Sequence, residues 1–167
     1  MRTSKLVLLI FVLIALPVFA FAKSARGSEM SDQHRSQVAS TTQKLIEFAG
    51  QDRNIGQEIR EIAQAQQQAA TTTAALIGKI ESRSKLKTFF IGSDYKNLGA
   101  LRSELVTTAN HISRLERAMA SSTTSTTTAL LQEQIDNLKQ AQAAAETFVK
   151  TNESKFSLFG WFVKLFN

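Results

Sequence analysis

Apolar residues recur every three or four positions through most of this chain, the period of helices with one buried face. In a first stretch Val38, Leu45, Phe48, Ile55, Ile59, Ile62, Ala69, Leu76 and Ile80 hold a single register. Asp52, Gln66 and Thr73 fall on the same seam as polar interruptions, giving the stripe of a helical bundle or coiled coil in a weakened form. A second stretch, Leu98, Leu101, Leu105, Thr108, Ile112, Leu115 and Met119, is the most regular. A third resumes in a shifted register at Leu131, Ile135, Leu138, Ala145, Val149 and Phe156. Pro17 is the only proline, so no ring interrupts a helix beyond it.

Three places interrupt the pattern. Gly50 and Gly56 flank Gln51-Asp52-Arg53-Asn54, and each interior glycine costs a helix about 1 kcal/mol relative to alanine. Asn54 with Gln57 three residues on offers a weak capping box for a fresh helix folding back. The unbroken register points the other way, to one long helix over residues 31–88, kinked at most and about 85 Å long. Phe89-Phe90-Ile91-Gly92-Ser93-Asp94 reads as a sharp turn: Gly92 can end a helix in the left-handed region, and Ser93 or Asp94 can cap the next. Ser121–Thr128 contains nothing apolar, and its hydroxyls compete for backbone hydrogen bonds, which predicts a solvated loop. O-glycosylation of that run is the alternative reading. If the run reverses the chain, the second and third stretches, each about 40 Å long, bring the chain end back to the turn at 89–94.

The two ends differ from the body. Leu6–Ala22 is a seventeen-residue apolar run behind Arg2 and Lys5, and Ala20-Phe21-Ala22 has the A-x-A spacing of a signal-peptide cleavage site before Lys23. An uncleaved anchor is the rival, since seventeen residues touch the lower limit for spanning a bilayer. Phe156–Phe166 is apolar at eight of eleven positions, with Ser157, Gly160 and Lys164 on a thin polar stripe. It is too short to span a bilayer and forgoes about 1.5–3 kcal/mol for each large side chain left in water. Phe156, Phe159, Trp161, Phe162 and Phe166 therefore either pack on the tip formed by Phe89, Phe90 and Ile91, or lie in a membrane interface. Lys79, Arg83, Lys85, Lys87, Lys96 and Arg102 crowd the tip against Glu81 and Asp94, a charge balance suited to an anionic lipid surface.

Composition then removes whole classes of function. The chain has no cysteine, which excludes disulfides, thiolate zinc sites, c-type haem attachment and a lipidated cysteine. Its formal charge of +6 falls to +4 without Arg2 and Lys5, too little for a dedicated nucleic-acid binder. His34 and His111 lie in different stretches without ligand spacing. A haem would need one of them opposite a methionine such as Met30 or Met119, and the Glu-x-x-His pairs of di-iron bundles are missing. His111, Arg114 and Glu116 read as helix-surface polarity. No phosphate loop or nucleophile elbow is present, so nothing in the sequence supports an enzyme and no cofactor is expected. Gln64–Gln68 with Ala69–Ala75 forms a small-residue seam, either a loosely packed part of the bundle or a place for a second copy to dock.

Two segments, Gly92–Glu104 (GSDYKNLGALRSE) and Ser154–Phe166 (SKFSLFGWFVKLF), together with the leader, resemble a set of small exported helical proteins of ultrasmall candidate-phyla bacteria. The resemblance extends over most of residues 31–166. Other members carry charged residues in place of the serine/threonine run, which would let a helix continue there. The resemblance implies a bacterial envelope setting and an all-helical body, and it brings no activity, cofactor or catalytic residue. The chain is thus expected to comprise a signal peptide or anchor (1–22), a flexible linker (23–33), an all-α body (34–155) and the aromatic segment (156–167). The body is a long helix followed by an antiparallel helical hairpin, a three- to four-helix bundle or coiled coil. The expected role is that of a non-enzymatic structural or interaction protein of the envelope, presenting or burying its aromatic tip. Its partner would be a membrane surface, an envelope protein or a second copy. A membrane-active protein (pore-forming or lipid-surface-binding) and a small-ligand-binding bundle are the alternatives.

Overall fold

The computed structural model describes residues 25–52, 54–122 and 125–155, all of whose regular elements are helices. They are α1 (Ala25–Ala49), α2 (Gly56–Glu81), α3 (Lys85–Ile91), α4 (Tyr95–Ala120) and α5 (Ser125–Glu153). The leader, with Ala20 and Ala22, and the aromatic segment from Phe156 onward lie outside the described residues.

The long first helix is replaced by two. α1 stops at Ala49, and Asp52 holds the turn into α2: its Oδ1 accepts from the backbone N–H of Asn54 at 2.9 Å and of Ile55 at 3.2 Å, and its carbonyl accepts from the N–H of Gly56 at 2.9 Å. The chain then folds back so tightly that a Cβ placed on Gly56 would lie 2.2 Å from the carbonyl oxygen of Ala49. The continuous register misleads here because α1 and α2 face the same core. Leu45 and Phe48 before the turn, and Ile55, Ile59 and Ile62 after it, are all buried. A hairpin shows the same 3.6-residue spacing on both arms as a straight helix does. The expected cap at Asn54 is supplied instead by Asp52, two residues earlier.

Four helices form the body. α1 packs on α2 and α5, and α4 packs on the same two, so they stand in a ring. Cross-links fix the directions. Ser31 Oγ donates to the carbonyl of Ala74 at 2.8 Å, Gln37 Nε2 to Gln140 Oε1 at 3.3 Å, and Lys44 pairs with Glu133 at 3.2 Å. Arg114 lies 3.7 Å from Glu58, and Lys139 lies 2.7 Å from Glu116. Every neighbouring pair is antiparallel, the up-down-up-down topology of a four-helix bundle. α1 starts at Ala25, so the expected linker over 23–33 is helical from there, and its Ser31 is buried. The expected loop at 121–128 is shorter than the hydroxyl run. α5 begins at Ser125 and Thr127 is already buried, so the run is helical from Ser125 onward.

The core falls into two apolar clusters. One, toward the end where α1 gives way to α2 and α4 to α5, holds Val38, Leu45, Phe48, Ile59, Ile62, Ile112, Leu115, Leu131, Ile135 and Leu138. The other, toward Gly92, holds Leu76, Ile77, Ile80, Leu98, Leu101, Leu105, Ala145 and Val149, with Met30 and Phe148 against it. Small residues Ala69 and Ala74 and buried polar ones, including His34, Gln66, Thr73, Thr108 and His111, separate the two in register. The Gln64–Ala75 seam is thus covered by helices of its own chain.

The turn geometry sets opposite signs for three glycine substitutions. Gly99→Ala, whose added carbon meets nothing within 4 Å, gains up to about 1 kcal/mol of stability from helix propensity. Gly56→Ala loses about 1–3 kcal/mol through the clash with Ala49, whereas in a continuous helix it would gain. Gly92→Ala also loses about 1–3 kcal/mol, because φ 101° with ψ −173° is a region kept for glycine. Urea denaturation of the three variants reads all of these.

Candidate functional site

Gly92 ends α3, its N–H donating to the carbonyl of Thr88 at 2.9 Å, and Asp94 starts α4. Asp94 accepts from the backbone N–H of Asn97 at 3.4 Å and from Asn97 Nδ2 at 2.9 Å. The side-chain bond from Asn97 is the main reason its carboxyl is held below the usual carboxylate range, and Arg83, 3.5 Å away, adds to it. Ser93 Oγ donates to the carbonyl of Asn152, and Arg102 pairs with Glu153. The end of α5 is thereby held beside the Gly92 turn. The expected turn at 89–94 is narrower than it looked, since Phe89, Phe90 and Ile91 belong to α3.

α3 is unlike the other helices. None of its residues is buried, and it makes no helix–helix contact with the other four. Leu86 is 59% exposed, Phe89 45%, Phe90 46% and Ile91 63%, and Tyr95 just beyond is also exposed. Phe89 and Phe90 pack edge to face, with ring centres 5.3 Å apart and planes at 75°. The helix has two faces. Lys85, Thr88 and Phe89 line a groove, whereas Leu86, Lys87, Phe90 and Ile91 follow the opposite i, i+4 rows.

That groove, about 710 Å³, is bounded by Met30 of α1, Ile80 and Glu81 of α2, Phe148 and Asn152 of α5, and Lys155. Its polar atoms are incompletely matched. Glu81 Oε2 and Arg83 Nε are buried without a hydrogen-bond partner. Burial raises the Glu81 carboxyl above its usual range, and the nearby Lys155 ammonium acts the other way. The basic crowd predicted around the tip is partly neutralised, Arg83 by Asp94 and Arg102 by Glu153, an acid far from the tip in sequence. Among the described residues Lys85, Lys87 and Lys96 are exposed and stand in no ion pair.

The histidines lie away from this end, inside the bundle. His111 is 9% exposed, not a surface residue as expected, and its Nδ1 is 2.8 Å from Gln66 Oε1; Gln66 Nε2 in turn donates to Thr108 Oγ1 at 3.4 Å. His34 is 6% exposed with Nδ1 unpartnered. Gln66 on the apolar seam was the signal that a second polar residue had to face it. Among the described residues no group of three or more histidine, aspartate or glutamate side chains is placed to hold a metal ion. No described helix is long and apolar enough to cross a membrane.

No family model, curated protein or solved structure matches the chain, so the functional reading rests on this geometry.

Burial lowers the imidazole pKa of both histidines from the usual 6.5; the backbone of Ala141 opposes the shift at His34, and Arg114 adds to it at His111. The unfolded chain therefore takes up protons near 6.5 while the folded chain does not, and stability falls as pH drops through and below that value. Glu81 acts in the opposite sense, in a window that starts at its usual 4.5 and extends upward. Melting temperature should fall between about pH 7.5 and about pH 5.5, and less so in His34→Gln/His111→Gln. A flat profile in the parent protein would contradict the burial of these rings.

Proposed function

We propose that this is a non-enzymatic, exported bundle protein of the bacterial cell envelope that rests its α3 end on an anionic lipid surface. The observation that carries the reading is α3 itself, a short helix with four apolar side chains and none of its residues buried. Single exposed hydrophobics are ordinary, but a contiguous exposed patch marks an interaction site. The flanking charges select the partner. Lys85, Lys87 and Lys96 are exposed, and each lysine near an anionic surface contributes about 1 kcal/mol.

Burying Leu86 and Ile91 adds about 1.5–3 kcal/mol each at most. The sum, about 6–9 kcal/mol, corresponds to a dissociation constant between about 40 and about 0.3 micromolar, a reversible and salt-sensitive association. The described helices offer a surface contact and no membrane span, which favours lipid-surface binding over pore formation. Export and the envelope setting come from the leader and from the family resemblance.

A chain begun at Lys23 keeps every core residue named above and should sediment with phosphatidylglycerol vesicles at low salt but not with phosphatidylcholine ones. Leu86→Ser/Ile91→Ser should weaken binding tenfold or more with helicity and melting unchanged, since neither side chain is buried. Lys85→Gln/Lys87→Gln should weaken it by about tenfold or more and reduce its salt dependence. Equal binding by all three proteins would remove the lipid reading, and dye release would point to pore formation instead.

A further inference from the structure

At the end of the bundle opposite α3, helices α1 and α5 do not close completely on one another. A cavity of about 240 Å³ lies between them, floored by the buried side chains of Leu45, Phe48 and Leu131 and lipped by Leu130, which is 42% exposed. It is smaller than the roughly 300–1,000 Å³ of sites for drug-sized ligands, so it fits a short apolar stem. One wall is polar. Gln134 is 4% exposed, and its Oε1 is buried with no hydrogen-bond partner. Such an orphaned oxygen costs about 1–3 kcal/mol until a donor reaches it. The last torsion of a glutamine side chain is soft, so Oε1 can swing into the cavity that Gln134 lines.

The charges around the cavity favour a cation. Among the lining residues Lys44 is the one cation, and Glu133 pairs with it at 3.2 Å. Glu47, also in the wall, is exposed and stands in none of the ion pairs among the described residues. The cavity abuts the last turn of α1, the end at which a helix attracts positive charge, yet that turn carries no basic residue. The opposite dipole end of α5 lies at Ser125, more than a turn before Leu130, where its influence has faded.

We propose that this cavity binds a primary alkylammonium, its stem on Leu45, Phe48 and Leu131 and its ammonium directed to Gln134 Oε1 and the Glu47 carboxylate. An ammonium carries donors and no acceptor, which matches an unpaired amide oxygen beside an unpaired carboxylate. A free amine and a lysine side chain of a partner protein present the same group. No residue of the cavity belongs to the α3 end, so this inference and the lipid reading stand or fall separately.

Titration of the isotope-labelled protein with n-pentylamine near neutral pH should give saturable amide shifts at Leu45, Phe48, Leu131 and Gln134, with a Kd on the order of millimolar. n-Pentanol and pentanoate, which keep the stem without the cation, should bind at least tenfold more weakly. Nα-acetyl-lysine methylamide distinguishes the sources: binding tighter than pentylamine points to a partner's lysine, weaker binding to a free amine, and both keep the site. Glu47→Gln, an exposed change that spares the core, should weaken pentylamine about threefold. Gln134→Leu should weaken it about tenfold. No saturable shift at these residues, pentanol binding as tightly as pentylamine, or unchanged affinity in Glu47→Gln would each overturn the proposal.

Discussion

The close approach of Gly56 to the Ala49 carbonyl governs this fold. With no side chain at residue 56, the chain can reverse within six residues, and Asp52 supplies the acceptors that the interrupted backbone needs. The reversal turns one apolar stripe into two facing stripes. Leu45 and Phe48 then share a core with Ile59 and Ile62 instead of pointing along an extended rod. Each such side chain removed from water contributes about 1.5–3 kcal/mol, and no disulfide adds to the total. A four-helix ring follows, because α1 and α2 together present a surface that α4 and α5 can close.

The middle of the bundle is held differently from its ends. Gln66, His111 and Thr108 form a connected polar group between two apolar clusters. Leucines in those places would bury more apolar surface and specify less. A polar residue that must meet its partner penalises any slip of α2 against α4, since the slipped arrangement leaves buried donors and acceptors unpaired. The exposed pairs Lys44–Glu133 and Lys139–Glu116 repeat the antiparallel alignment at the surface, where such pairs contribute little to stability.

Helical class, the apolar seams of α4 and α5 and the capping turn at Gly92-Ser93-Asp94 were legible from spacing alone. The residues expected in those seams are buried, except Met119, which is half-buried, and Phe156, which lies outside the described residues; Asp94 is the cap. The reversal at 50–56 was not, because periodicity records which side of a helix is buried and is silent about the direction in which the chain runs. The local chemistry was present in Gly50, Asp52 and Gly56, but it competes on the page with a long coherent register. At 121–128 composition overstated the loop, since a hydroxyl run can begin a helix whose first turn needs few apolar contacts. Around the tip the sequence displayed the cations, while Glu153, fifty-one residues beyond Arg102, entered only through the packing of α5 on α4.

An even number of antiparallel helices returns a chain to the level at which it started. Ala25, the Gly92 turn and Glu153 all lie at one pole of the ring, and Ala49, Gly56, Ala120 and Ser125 lie at the other. At 1.5 Å per residue, the 25 residues of α1 separate the poles by about 38 Å. Attachment through the first pole therefore stands the bundle upright as a post. Its far end, where α1 gives way to α2 and α4 to α5, is carried clear of the surface and beyond several Debye lengths of whatever charge the surface holds.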